Sequence, residues 1–122
     1  MDEGTLEAWL AAYGRAWKHR DPEAAAELFT GDATYYETPF DEPMVGRAEI
    51  VEYWSGVPSS QEDVHFTYEI LAATEGGGIA HWHADFVRVP SRVPVKLDGI
   101  LLVKLNEVRL CEEFREWWHK QE

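Results

Sequence analysis

At Pro58 the chain changes period, and that change decides its architecture. Before Pro58, apolar residues recur at helical spacing. Leu6, Trp9, Leu10, Tyr13 and Trp17 fall at i, i+3, i+4, i+7 and i+11, which on a 3.6-residue turn is one face. After it the pattern becomes that of strands, over Val64–Ala73, Ile79–Val89, Val95–Lys104 and Val108–Trp118. Turn formers separate them: Glu75-Gly76-Gly77-Gly78, then Pro90-Ser91-Arg92, then Asn106. Helices gathered ahead of an antiparallel meander make an α+β domain rather than an alternating α/β one.

The helical half can be resolved further. Arg15, Lys18, His19 and Arg20 put positive charge at the end of the first helix, where the helix dipole favours it. Asp21-Pro22-Glu23 predicts a second start: Asp21 can cap free N–H groups, and Pro22 has no N–H to leave unpaired. That helix runs through Ala24, Ala25, Leu28 and Phe29 to a stop at Gly31. Ala33–Glu37 reads as a short strand, Thr38–Met44 as a loop, and Ala48–Trp54 as a third helix with Ile50, Tyr53 and Trp54 on its apolar side. No repeat or linker divides residues 1–122, so one domain is expected.

Composition excludes several classes of partner. Eleven Lys plus Arg against 23 Asp plus Glu give a net charge of −12, with no basic stripe for nucleic acid phosphates. No apolar run approaches the ~20 residues a membrane helix needs. The acidic start Met1-Asp2-Glu3-Gly4 is unlike a signal peptide, and Cys111 is the one cysteine, so a reducing, cytoplasmic setting is expected. Six tryptophans, five tyrosines and five phenylalanines are a large aromatic complement for 122 residues, and they must line a core or a cavity.

Neither side of the meander is simply polar. His81, His83 and Asp85 alternate with Trp82, Ala84 and Phe86; Lys96, Asp98, Ile100 and Leu102 alternate with Leu97, Gly99, Leu101 and Val103. One helical layer covers only one face, so the other is expected to pack on a second copy, giving a homodimer through the outer face of the sheet.

These residues resemble a known superfamily. Tyr13, Asp21-Pro22-Glu23-Ala24, Gly31-Asp32-Ala33-Thr34, Glu42-Pro43, Gly46-Arg47-Ala48-Glu49-Ile50 and the closing Phe114-Arg115-Glu116-Trp117-Trp118 are similar to nuclear transport factor 2-like proteins. Within that superfamily the likeness is to SnoaL-like polyketide cyclases and ketosteroid isomerases. The resemblance implies a cone: three N-terminal helices closing one side of a curved antiparallel sheet. It implies little about the reaction, since this scaffold hosts isomerases, cyclases, hydrolases, dehydratases and binders.

By resemblance to the isomerases, Glu37 takes the place of the general base, Asp98 that of a protonated acid at the oxyanion, and Tyr13 that of the neighbouring phenol. The chemistry is consistent. Tyr35, Tyr36, Pro39 and Phe40 would strip water from Glu37 and raise its pKa towards that of a useful base. Asp98, between Leu97 and Gly99, could be held neutral. Each residue also has a plainer role: Glu37 bonding loop backbone, Asp98 a structural hydrogen bond, Tyr13 simple core. A second pattern, Lys96 and Asp98 with Glu116, resembles the acid–base set of limonene epoxide hydrolase-like enzymes, or else a buried ion pair.

His81 and His83 have the spacing of strand-borne zinc ligands, but no second cluster supports a metal, and a pair hydrogen-bonding in the cavity is the simpler reading. Gly76-Gly77-Gly78 leads into no helix and is no phosphate loop. The cavity is therefore expected to be lined by Trp9, Tyr13, Trp17, Tyr35, Glu37, Phe40, Trp54, Phe66, His81, His83, Asp98 and Glu116. Such a lining suits a small apolar ligand bearing one or two oxygens, handled without cofactor or metal. A non-catalytic binding or stress-related domain with the same cavity is the alternative from another class.

Overall fold

The computed structural model describes residues 3–122. The first helix, α1 (Glu3–Lys18), buries the predicted stripe and adds Ala16 to it. In α2 (Pro22–Ala26) the Asp21 carboxylate accepts the Ala24 N–H at 3.1 Å, the cap its sequence predicts. This helix stops five residues short of Gly31. The reason is Leu28, whose carbonyl accepts both the Trp9 indole N–H (3.0 Å) and the Cys111 N–H (2.8 Å). With Leu28 bonded to the sheet, β1 begins at Phe29 and runs to Tyr36.

The predicted loop carries a two-residue strand, β2 (Met44–Val45), antiparallel to β1. Gly46 then opens α3 (Gly46–Trp54) with φ 85°, a left-handed conformation that glycine adopts without strain. A single turn, α4 (Val57–Ser60), leads into the long strands β3 (Gln61–Thr74), β4 (Gly77–Arg88), β5 (Pro94–Leu105) and β6 (Cys111–Gln121). The strands β3, β4 and β5 are longer than the sequence pattern marks, whereas β6 keeps the expected length but is displaced from Val108–Trp118 to Cys111–Gln121.

The sheet order is β2-β1-β6-β5-β4-β3. The meander is antiparallel, but β1 runs parallel to β6, so the sheet is mixed. The register shifts within β3 and again between Lys104 and Leu105, where bulges bend a sheet. The α1, α2 and α3 helices pack on its inner face. There Tyr35 stacks on Phe114 at 4.6 Å, and Trp9 lies over Tyr13 at 5.4 Å.

Glycine permits one approach that shapes the site. A Cβ on Gly99 would lie 2.0 Å from the Trp117 carbonyl oxygen and 2.8 Å from the Trp118 Cα. Only a bare backbone lets β6 lie this close to β5.

Candidate active site

Strand β6 presents Phe114, Glu116, Trp118 and Lys120 to the inner face in alternation. Phe114 is fully buried under Tyr13 and Tyr35. Glu116 follows two residues later, also buried, where the alternation calls for an apolar side chain. Its carboxyl forms part of the wall of a cavity of about 210 Å³, and no described residue hydrogen-bonds to it.

Four elements close around that carboxyl. From α1 come Tyr13 and Trp17; from β1, Tyr35, with Glu37 just beyond its end; from α3, Tyr53 and Trp54; and from β4, Trp82 and Phe86. The Tyr13 and Tyr35 hydroxyls are hydrogen-bonded at 3.0 Å. Trp17 donates its indole N–H to Gln61 Oε1 at 2.8 Å, which fixes the amide and leaves its NH₂ as the free end. Trp118 donates to the Glu37 carbonyl at 2.9 Å. The indole N–H groups of Trp54 and Trp82 are buried without an acceptor among the described residues.

The electrostatics separate the two acids. Burial first, and then the charge of Glu37, hold the Glu116 carboxyl well above the ordinary carboxylate range. Glu37 is only half-buried; burial and the neighbouring Asp41 raise it to a lesser degree. Burial, reinforced by Glu116, pushes the phenols of Tyr13, Tyr35 and Tyr53 well above their usual value, so they remain neutral donors. At the opening stand Arg88 and Lys120.

Several residues expected in the cavity lie elsewhere. His81, His83 and Asp98 are on the outer face of the sheet, with Asp85 and Lys96. Strand parity sets them opposite Trp82, Ala84, Leu97 and Gly99, which face inward. Asp98 is exposed and pairs with His81 Nε2 at 2.8 Å and His83 Nδ1 at 3.4 Å. Those bonds hold its carboxyl below the ordinary range, the reverse of a neutral oxyanion donor. The Lys96–Asp98–Glu116 set is likewise split by the thickness of the sheet.

Trp9 sits behind Tyr13 in the core, bonded to Leu28. Phe66 packs over Gly14 and against Trp17 and Trp82, outside the lining. Phe40 is 95% exposed beside a shallow depression with Trp117 and His119. Tyr13, Trp17, Tyr35, Glu37, Trp54 and Glu116 are the expected residues that the fold does bring together. Among the described residues there is no cluster of three or more His, Cys, Asp or Glu able to hold a metal ion.

The expected lining left out Tyr53, Val57, Gln61, Trp82, Phe86, Arg88, Leu97, Trp118 and Lys120. Parity carried the signal for most of them, because Trp82, Phe86 and Arg88 share one face of β4, as Glu116, Trp118 and Lys120 share one face of β6. Gln61, ahead of the predicted strand, carried no signal.

The model of the SnoaL-like domain family matches residues 7–113. The chain belongs to the SnoaL-like domain family. Solved structures agree with that assignment in fold. One, described as the epoxide hydrolase/cyclase-like enzyme SalBIII in pyran ring formation in polyether salinomycin, superposes with a TM-score of 0.83 at 24% identity. It covers 97% of this chain and 93% of its own. A second, a putative isomerase from Bacillus subtilis, has a TM-score of 0.84 at 18% identity over 98% of this chain and 90% of its own. A third, a ketosteroid isomerase-like protein from Erwinia carotovora atroseptica SCRI1043, has a TM-score of 0.72 at 17% identity, covering 95% and 96%. A search of the curated proteins gives no significant match. This SnoaL-like chain thus has the nuclear transport factor 2-like fold. None of its described helices is long and apolar enough to cross a membrane.

Proposed function

We propose that this SnoaL-like protein performs acid–base chemistry of the isomerase or cyclase type on a small, mostly apolar ligand bearing oxygen. The observation that carries the reading is Glu116, a buried carboxyl on the cavity wall with no hydrogen-bond partner among the described residues. Such a group is expensive to ionise and is kept for what it does to a ligand. Two acids whose surroundings push their pKa values apart are an acid and a base. Glu116, held protonated, takes the role that sequence resemblance gave to Asp98. Glu37, less strongly raised, is the base.

In the isomerase form, Glu37 takes a proton from the carbon next to a carbonyl. Glu116 donates a hydrogen bond to the carbonyl oxygen as charge gathers there, supported by the hydrogen-bonded Tyr13 and Tyr35 hydroxyls. Return of that proton from Glu37 to another carbon completes the shift. In the cyclase form, Glu37 takes the proton of an attacking hydroxyl while Glu116 protonates the oxygen that leaves. The description of SalBIII as cyclase-like makes this second form worth testing.

Nitrobenzisoxazole tests the pair without knowledge of the substrate, since its ring opens when a base removes one proton. Turnover well above that of free acetate is expected, falling at least ~100-fold in Glu37→Gln. Binding without turnover would move the protein to the non-catalytic class.

The outer face supports a further proposal, a homodimer. Ile100 and Trp117 are register partners there and both are exposed, Trp117 by 44%. Light scattering should give twice the 14.0 kDa chain mass, and Trp117→Glu should return it to one. A wild-type monomer at micromolar concentration rejects the dimer.

A further inference from the structure

Two cations converge at the opening of an otherwise acidic cavity. Arg88 stands at the end of β4 and Lys120 near the end of β6, on strands separated by β5. Both side chains line the cavity. One carboxylate already bridges them: Glu122 Oε2 is 3.4 Å from Arg88 Nε, and its Oε1 is 3.0 Å from Lys120 Nζ. The two cations therefore sit at the separation that one carboxylate spans, one oxygen to each. Every other ionisable residue in the lining is an acid or a phenol: Glu37, Glu116, Tyr13, Tyr35 and Tyr53.

We propose that the ligand of this cavity is a small carboxylic acid, whose carboxylate Arg88 and Lys120 receive at the opening in the place the Glu122 side chain holds. Its neutral, oxygen-bearing end lies against Glu116 and the tyrosines. The inference rests on the cavity being a ligand site, as argued above, but not on catalysis. Charge sets the orientation. An anion at the floor would face the charge of Glu37 in a buried setting, whereas at the opening it meets both cations. A volume of about 210 Å³ suits one ring or a short chain with its acid group at the mouth. Glu122 is exposed, and an exposed ion pair is weak, so a ligand displaces it at little cost.

Cinnamate, cinnamamide and methyl cinnamate separate charge from shape. Binding is read from the indole N–H resonances of Trp17, Trp54 and Trp82 by NMR, with tryptophan fluorescence as a second signal. At low salt cinnamate should bind at least ~10-fold tighter than the amide or the ester, as hydrogen bonds to charged groups do. Arg88→Gln and Lys120→Gln should each remove most of that preference. Glu122→Gln should tighten cinnamate by up to about fivefold and leave the amide unchanged. Equal affinity for acid and amide, or a preference that survives in the double variant of Arg88 and Lys120, overturns the carboxylate assignment while leaving the cavity a ligand site. If none of the three compounds shifts the indoles, the ligand site and this inference fall together.

Discussion

Trp118 donates its indole N–H to the backbone carbonyl of Glu37 at 2.9 Å. The bond ties the end of β1 to β6, the strand that also carries Glu116, so one strand sets the position of both acids. Trp118→Phe keeps most of the ring and removes the donor. It should cost about 1 kcal/mol in stability and lower nitrobenzisoxazole turnover roughly tenfold, since small displacements of a base are expensive. Turnover unchanged in a folded variant would show that the loop holds Glu37 unaided.

Glu116 should make the protein less stable as pH rises. Its folded pKa lies above the unfolded one, through burial and then Glu37. The folded state therefore keeps a proton that the unfolded chain releases. Glu116 costs nothing below the unfolded value near 4.3 and costs progressively more above it, up to the folded pKa. The slope approaches roughly 1.4 kcal/mol per pH unit in that window. Glu116→Gln should thus gain on the wild type in urea unfolding between pH 5 and pH 8. A gap that stays flat across that range means Glu116 is not held protonated.

Gly99→Ala should be among the more damaging single-methyl changes. The added carbon meets the Trp117 carbonyl and the Trp118 backbone, neither of which can move without opening the β5–β6 ladder. A loss of about 2–3 kcal/mol is expected by chemical denaturation. Retention of wild-type stability would mean the two strands can separate locally.

The Cys111 thiol is buried, and burial pushes its pKa up to about 12. A thiol reagent at pH 8 should label it only as fast as the protein unfolds, and promptly in urea. Rapid native labelling would show that β6 opens at its start.

Much of the fold was legible because α1 and the meander have strong, separate periods. What sequence blurred were junctions decided by tertiary bonds. Gly31 looked like a helix stop, yet Leu28 had already turned its carbonyl to Trp9 and Cys111. The site was legible in half. Glu37 and Tyr13 were named by resemblance to the isomerases, Glu116 by resemblance to the epoxide hydrolase-like set, and Tyr35 as an aromatic beside Glu37; the fold brings all four to one cavity. Asp98 was misplaced: flanking Leu97 and Gly99 suggested burial, but on a strand the flanking residues face the other way. His81 and His83 were assigned to the correct strand face, but it is the face of Trp82, Ala84 and Phe86 that turns inward.

The parallel pairing of β1 with β6 has a consequence for time as well as for space. Residues 29–36 have the short β2 on one side, but on the other their sheet neighbour is residues 111–115. A chain emerging from the ribosome makes β1, and with it Glu37, long before β6 exists for it to lie against. The hairpins β3–β4 and β4–β5 close on neighbours a few residues away, so they can form first. The acid pair is then the last part to assemble: neither Glu37 nor Glu116 meets the other until β6 arrives and brings both into one cavity.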